Sequence, residues 1–101
     1  MHILIFATFP HVEFNAAVLD GSAGPKLKAI LDELKPEATY FTDHCGERSA
    51  ILVVDIADAS KIPSIAEPLF LTFNADVEIK LVMTPDDLAK ADLDALGKKW
   101  A

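Results

Sequence analysis

Two short stretches of the chain, His2 to Phe9 (HILIFATF) and Ala50 to Ile56 (AILVVDI), are apolar at nearly every position and rich in β-branched and aromatic residues. Such runs predict strands, and a strand that is apolar on both sides must be covered on both. The chain's own helices supply one cover. A chain of 101 residues offers no second layer for the other side, so the pattern predicts that a second copy of the protein lies there.

Between these runs the spacing of apolar residues changes. Pro10 to Leu19 (PHVEFNAAVL) predicts a helix with Val12, Ala16 and Leu19 on its inner side and Pro10 in its first turn. Asp20-Gly21-Ser22-Ala23-Gly24 interrupts it, and Pro25 restarts a helix with Leu27, Ile30, Leu31 and Leu34 at three-and-four spacing, ended by Lys35-Pro36. Ala38 to Asp43 (ATYFTD) has strand character, and the Gly-containing stretch Cys45 to Arg48 joins it to the strand at Ala50 as an antiparallel hairpin. Asp58 to Leu71 carries one helical stripe of Ile62, Ile65, Ala66, Leu69 and Phe70, with Pro63 in the first turn and Pro68 expected to bend or shorten the element. In Asp76 to Met83 (DVEIKLVM) the residues alternate, which predicts an edge strand with Val77, Ile79, Leu81 and Met83 inward and Glu78 and Lys80 in water. Thr84-Pro85-Asp86-Asp87 then combines an N-cap, a proline at the first helical position and acids against the helix dipole. It starts a C-terminal helix with Leu88, Ala91 and Leu96 on its apolar side and Gly97 and two lysines at its end.

The order strand, helix, strand, strand, helix, strand, helix predicts an α+β fold over residues 1–101: a ferredoxin-like βαββαβ sandwich plus a C-terminal helix. Its four-stranded antiparallel sheet has the first and third strands central and helices on one face. The two runs that are apolar on both sides are those central strands. The bare side of the sheet would then meet its twin, and burying about 800 Å² per partner at roughly 25 cal/mol per Å² favours a stable pair before association costs are deducted.

Composition narrows the rest. Half the residues are apolar, and no stretch approaches the roughly 20 apolar residues that cross a bilayer. The start of the chain carries no basic leader with a small-residue cleavage site, and the single cysteine, Cys45, excludes an internal disulfide. A cytoplasmic location is expected. A net charge of -7 with no Lys/Arg cluster disfavours nucleic acid and anionic membrane surfaces as partners.

The segment Ile65 to Ala91 (IAEPLFLTFNADVEIKLVMTPDDLAKA) resembles an uncharacterised family of small bacterial proteins within the dimeric α/β-barrel superfamily, and the element order of the whole chain is similar to that superfamily. The resemblance implies a sheet-to-sheet homodimer that closes a barrel. The superfamily includes cofactor-free monooxygenases, muconolactone-isomerase-like enzymes, chlorite-dismutase-like haem proteins and stress-response barrels, so membership carries no single function.

Candidate chemistry gathers in the polar cluster Tyr40, Asp43, His44, Cys45 and Arg48 at the end of a strand and its turn. His44 is the strongest candidate for proton transfer because imidazole titrates near neutral pH; the competing reading is an ordinary solvated turn. Tyr40, the one tyrosine, either orients a phenolic or carbonyl substrate or packs with its hydroxyl wet. Cys45 would be a nucleophile only if His44 or Arg48 activated it; the inert thiol is the default. His2 and His11 lie at opposite ends of a strand roughly 25 Å long and cannot share an ion within a protomer, and His44 adds no ligand motif, so no metal is expected. Glu67 beside Pro68 is either near a cavity or, as expected, on a solvated helix side. Trp100 caps a pocket, meets a partner or closes the core, with nothing in the sequence to choose between these. The Gly21 to Gly24 elbow lacks both GxGxxG and GxxxxGK, so no phosphate loop is expected.

The function expected from these residues is a homodimer that binds a small apolar or aromatic molecule between helices and sheet, without a cofactor. The alternatives are a cofactor-free monooxygenase or isomerase using His44 and Tyr40 as catalytic residues, and a non-catalytic assembly module.

Overall fold

The computed structural model describes residues 1–101. In chain order the elements are β1 (His2–Thr8), α1 (His11–Leu19), α2 (Ala23–Leu34), β2 (Ala38–His44), β3 (Glu47–Asp55), α3 (Ile62–Phe73, entered through a 3₁₀ turn at Ala59–Lys61), β4 (Asp76–Val82), α4 (Pro85–Lys90) and α5 (Leu93–Lys99). The strands form one antiparallel sheet in the order β2-β3-β1-β4, so β1 and β3 are central as their two-sided apolar character requires. This is the expected ferredoxin-like arrangement.

Register decides which residues share a side. Ile5 stands opposite Leu52 on β3 and Ile79 on β4. That pairing puts Ile3, Ile5 and Ala7 beside Ala50, Leu52 and Val54, all buried, with half-buried Val77 and Ile79 completing the layer. Helices α1, α2 and α3 close over it through Phe14 and Ala17, Ile30 and Leu34, and Ile65, Leu69 and Phe73. One end of this core is an aromatic trio in which Phe9, Phe14 and Phe73 have ring centroids 5.1 to 5.3 Å apart, within the favourable range for aromatic pairs.

Helices α1 and α3 depart from the expected pattern. In α1 the buried residues are Phe14 and Ala17, while Val12, Ala16 and Leu19 are exposed: filling the gap between Phe9 and Phe73 with a ring turns the helix by about half a revolution from the predicted orientation. Pro68 lies inside α3 and does not end it. Loss of one backbone donor is tolerated there because Ile65, Ala66, Leu69 and Phe73 anchor the helix on both sides of the proline.

The C-terminal region departs further. Leu81 and Met83, expected inward, are each 68% exposed because no helix reaches that end of β4. The predicted single helix is two, divided at Asp92, whose backbone is left-handed (φ 53°) and whose carboxylate accepts from the Ala95 amide at 3.3 Å. Gly97 lies inside α5 rather than beyond it. The N-cap signal is present in full: Thr84 Oγ1 accepts from the Asp87 amide at 3.1 Å, and Asp87 Oδ2 accepts from the Thr84 amide at 3.0 Å. Neither α4 nor α5 buries a residue.

The opposite side of the sheet carries no helix. Half-buried Leu4, Phe6, Ile51 and Val53 lie at its centre, bordered by Ala38, Tyr40 and Val82, with His2, Thr8, His44, Glu78 and Lys80 around them. No helix is long and apolar enough to cross a membrane.

Candidate functional site

Strands β2 and β3 are joined by a two-residue turn in which Cys45 (φ 49°) and Gly46 (φ 81°) are both left-handed, the geometry that matches the twist of a tight hairpin. The turn is shorter than the expected Cys45 to Arg48 connection. Pairing continues to the turn, with Asp43 opposite Arg48 and His44 opposite Glu47.

Alternation along the two strands then divides the polar cluster between the two sides of the sheet. Arg48 lies on the helix side, where its Nη1 donates to Asn15 Oδ1 at 2.8 Å and its guanidinium lies 4.8 Å from the centre of the Phe14 ring. Asp43 shares that side. His44 and Tyr40 lie on the open side. Cys45 is exposed at the tip of the turn, and Arg48 is engaged on the helix side rather than beside the thiol.

His44 packs edge-on against Phe6 with ring centroids 5.5 Å apart. Both line a depression of about 470 Å³ on the open side, shared with Thr8, Glu47, Asp76, Val77 and Glu78. The floor is the Phe6 ring, the rim supplies three carboxylates, and one imidazole stands among them. Tyr40 faces the same side, opposite Ile51, but stands outside the lining. Phe6, Thr8 and the three acids come from β1, β3 and β4, and their convergence depends on cross-strand register, which no local motif announces. The expected cavity between helices and sheet is absent, because the aromatic trio and the aliphatic residues of α2 and α3 fill that space.

A second polar group occupies the other end of the open side. His2 Nε2 and Glu37 Oε1 are 3.1 Å apart, the amine of Met1 donates to Asp55 Oδ1 at 3.0 Å, and ligand atoms of His2, Glu37 and Asp55 all lie within 4.8 Å of one another. The sequence pointed to His2 but not to its neighbours, which arrive through the His2–Asp55 pairing and the hydrogen bond from the Glu37 amide to the Val53 carbonyl. These three are the side chains placed to hold a cation. The Met1 amine already pairs with one of them: its hydrogen bond and charge hold the Asp55 carboxyl below its ordinary value, with His2 adding to the effect.

The remaining candidates are structural or solvated. His11 is exposed at the start of α1 and Glu67 on the outer side of α3. The elbow between α1 and α2 is an ordinary turn, with Gly21 left-handed (φ 81°) and the Asp20 carboxylate accepting from the Ser22 amide at 2.8 Å. Trp100 neither closes the core nor caps a pocket of its own chain; it is 78% exposed.

No protein-family model matches the chain, and no curated protein matches it. Among solved structures, 5-chloro-2-hydroxyhydroquinone dehydrochlorinase (TftG) from Burkholderia phenoliruptrix AC1100, in complex with 2,5-dihydroxybenzoquinone, superposes with a TM-score of 0.61 over 85% of this chain and 97% of that one, at 16% identity. A de novo designed protein, Ferredog-Diesel, aligns over 80% of this chain and 85% of its own, at 9% identity and a TM-score of 0.47, too low to bear on the fold. The likeness to the dehydrochlorinase is one of fold, and it agrees with the strand order and register, which make this chain an α+β protein with a ferredoxin-like fold.

Proposed function

We propose that the protein works as a homodimer that binds a small neutral or cationic aromatic molecule on the open side of the sheet, in the depression around Phe6 and His44. The observation that carries this reading is the make-up of that depression. Its volume of about 470 Å³ falls in the range of small-molecule sites, and it sets one aromatic ring among convergent polar groups. Phe6 offers a ring to stack on. Glu47, Asp76 and Glu78 are acceptors for hydroxyl or amine donors, and on a chain of net charge -7 they repel carboxylates and phosphates. A second copy seated on Leu4, Phe6, Ile51 and Val53 supplies the missing wall, which turns an open depression into a site that excludes water. The dehydrochlorinase of the same fold holds a planar hydroxylated ring, a ligand of the size proposed here.

His44 favours a second reading, in which the protein is an enzyme. Its imidazole stands in the depression opposite Glu47, where it could accept a proton from a phenol or an enolisable carbon. Tyr40 would then position the substrate from across the pair, since it does not line the depression of its own protomer.

Calorimetric titration with hydroquinone and with benzoate tests the binding reading. Hydroquinone is expected to bind and benzoate not to, and His44→Ala is expected to weaken hydroquinone binding at least tenfold while leaving the oligomeric state unchanged. Equal binding of both compounds, or unaltered affinity in His44→Ala, would contradict it. Consumption of hydroquinone that is abolished in His44→Ala would favour the enzyme.

A further inference from the structure

The molecule is longer than its fold requires. It measures 60 × 28 × 19 Å with a radius of gyration of 17.0 Å, whereas a compact chain of this length has about 13 Å. Its accessible surface is 6712 Å², against about 5,600 Å² expected of a compact monomer of 11.0 kDa. The excess of about 1,100 Å² exceeds the roughly 800 Å² that each partner contributes to a standard interface.

The source of the extension is the C-terminal arm. Helices α4 and α5 are well formed, the first by its capping box and the second by the Asp92 cap, yet they bury nothing. Two short helices without tertiary packing are marginal in water. Leu93, Leu96 and Trp100 recur at i, i+3 and i+7, which sets them in one row along α5, and Leu88 precedes them on α4; all four are exposed. Leu88 and Leu93 also line a shallow concavity of about 390 Å³ between the two helices, ready for an apolar side chain. Such a row calls for a surface to lie on. The arm's own protomer does not provide it.

From these observations we infer that the arm is exchanged: each protomer's α4 and α5 dock on the other copy through Leu88, Leu93, Leu96 and Trp100, clasping the pair. The inference rests on the homodimer proposed above and names a part of its interface that the sheet alone would not supply. The root of the arm leaves the edge of the sheet, since α4 begins three residues after Val82, which pairs with His2 on the open side. A copy seated on that side is therefore within the arm's reach. The tip of the arm carries Lys98 and Lys99, with the Lys99 ammonium 5.5 Å from the centre of the Trp100 ring, and it would meet a partner that is acidic overall. Exchange of this kind is self-complementary under two-fold symmetry, so two clasps form for each pair.

Trp100, the one tryptophan, reports directly on its own docking. The full chain is followed by tryptophan emission and by sedimentation across a dilution series, together with the variants Leu93→Asp/Leu96→Asp and Phe6→Asp. Because the arm is outside the core, the double variant is expected to keep the strand signal and cooperative unfolding of the sheet and its three packed helices, losing at most the helical signal of the arm. The expected result is blue-shifted emission in the dimer that moves to the solvent-exposed position as the mass halves, solvent-exposed emission in monomeric Phe6→Asp, and at least tenfold weaker dimerisation of Leu93→Asp/Leu96→Asp. A dimer whose Trp100 emission stays that of an exposed indole would overturn the exchange and leave the sheet-to-sheet pair standing. Blue-shifted emission in monomeric Phe6→Asp would overturn it too, since the arm would then fold back on its own chain. A wild-type chain that remains monomeric throughout would overturn the exchange together with the homodimer.

Discussion

Ile51 lies in the row Tyr40, Ile51, Phe6, Glu78 across the middle of the open side, and replacing it with aspartate separates the stability of the protomer from that of the pair. In the lone protomer the isoleucine is already half-exposed, so the substitution costs about 1 kcal/mol or less, the span of strand preferences. In the pair it is covered. Full burial of such a side chain is worth roughly 1.5 to 3 kcal/mol; the protomer already gains about half of that, and two-fold symmetry counts the remainder twice, so the pair loses about 1.5 to 3 kcal/mol before the cost of covering two carboxylates. At 1.4 kcal/mol per factor of ten, Ile51→Asp should weaken dimerisation by about one to two orders of magnitude, and further by the cost of covering the carboxylates. Sedimentation equilibrium gives the dissociation constant, and urea unfolding of the monomeric variant gives the protomer's own stability. A folded Ile51→Asp variant that dimerises like the parent chain would refute the reasoning, because the open side could not then be the contact surface.

Phe73, fully buried between Phe9 and Phe14, should cost about 3 to 5 kcal/mol when changed to alanine, with a matching drop in the urea midpoint; a loss under about 1 kcal/mol would mean the aromatic trio does not hold α1 and α3 together. The carboxyl of Asp87 is held below its ordinary value by the hydrogen bond from the Thr84 amide and then by that from the Thr84 hydroxyl, with His2 and Lys90 adding to the effect. A lowered folded-state value means that the stabilisation of α4 is complete above the unfolded value near 4 and is lost as pH falls through the folded one. In a carbon-detected NMR titration, Thr84→Ala is therefore expected to move the Asp87 midpoint upward, and an unmoved midpoint would deny the cap.

Much of this architecture could be read from the chain because strands declare their sides by alternation and by apolar runs. The two-sided runs at β1 and β3 named the central strands, and Thr84-Pro85-Asp86-Asp87 named a helix start that the structure forms bond for bond. Helix orientation was less legible. Val12, Ala16 and Leu19 form as good a stripe as Phe14 and Ala17, and only the gap between Phe9 and Phe73, a long-range fact, decides between them. The same limit applies at the site. His44 was visible as a titratable group on a turn with Glu47 across the hairpin, but Phe6, Asp76 and Glu78 reach it through pairings between residues far apart in the chain. Arg48 looked like its neighbour in sequence and lies on the other side of the sheet, because one step along a strand reverses direction. Leu81 and Met83 alternate as an inward edge should, yet the helix that would cover them runs away from the body as the arm.

The mass of the intact chain in solution bears most directly on the proposed cover for the bare sheet. At micromolar concentration, sedimentation equilibrium is expected to return twice the 11.0 kDa of one chain. A single species of 11.0 kDa under the same conditions would leave Leu4, Phe6, Ile51 and Val53 in water and contradict the pairing on which both the closed site and the clasped arm depend.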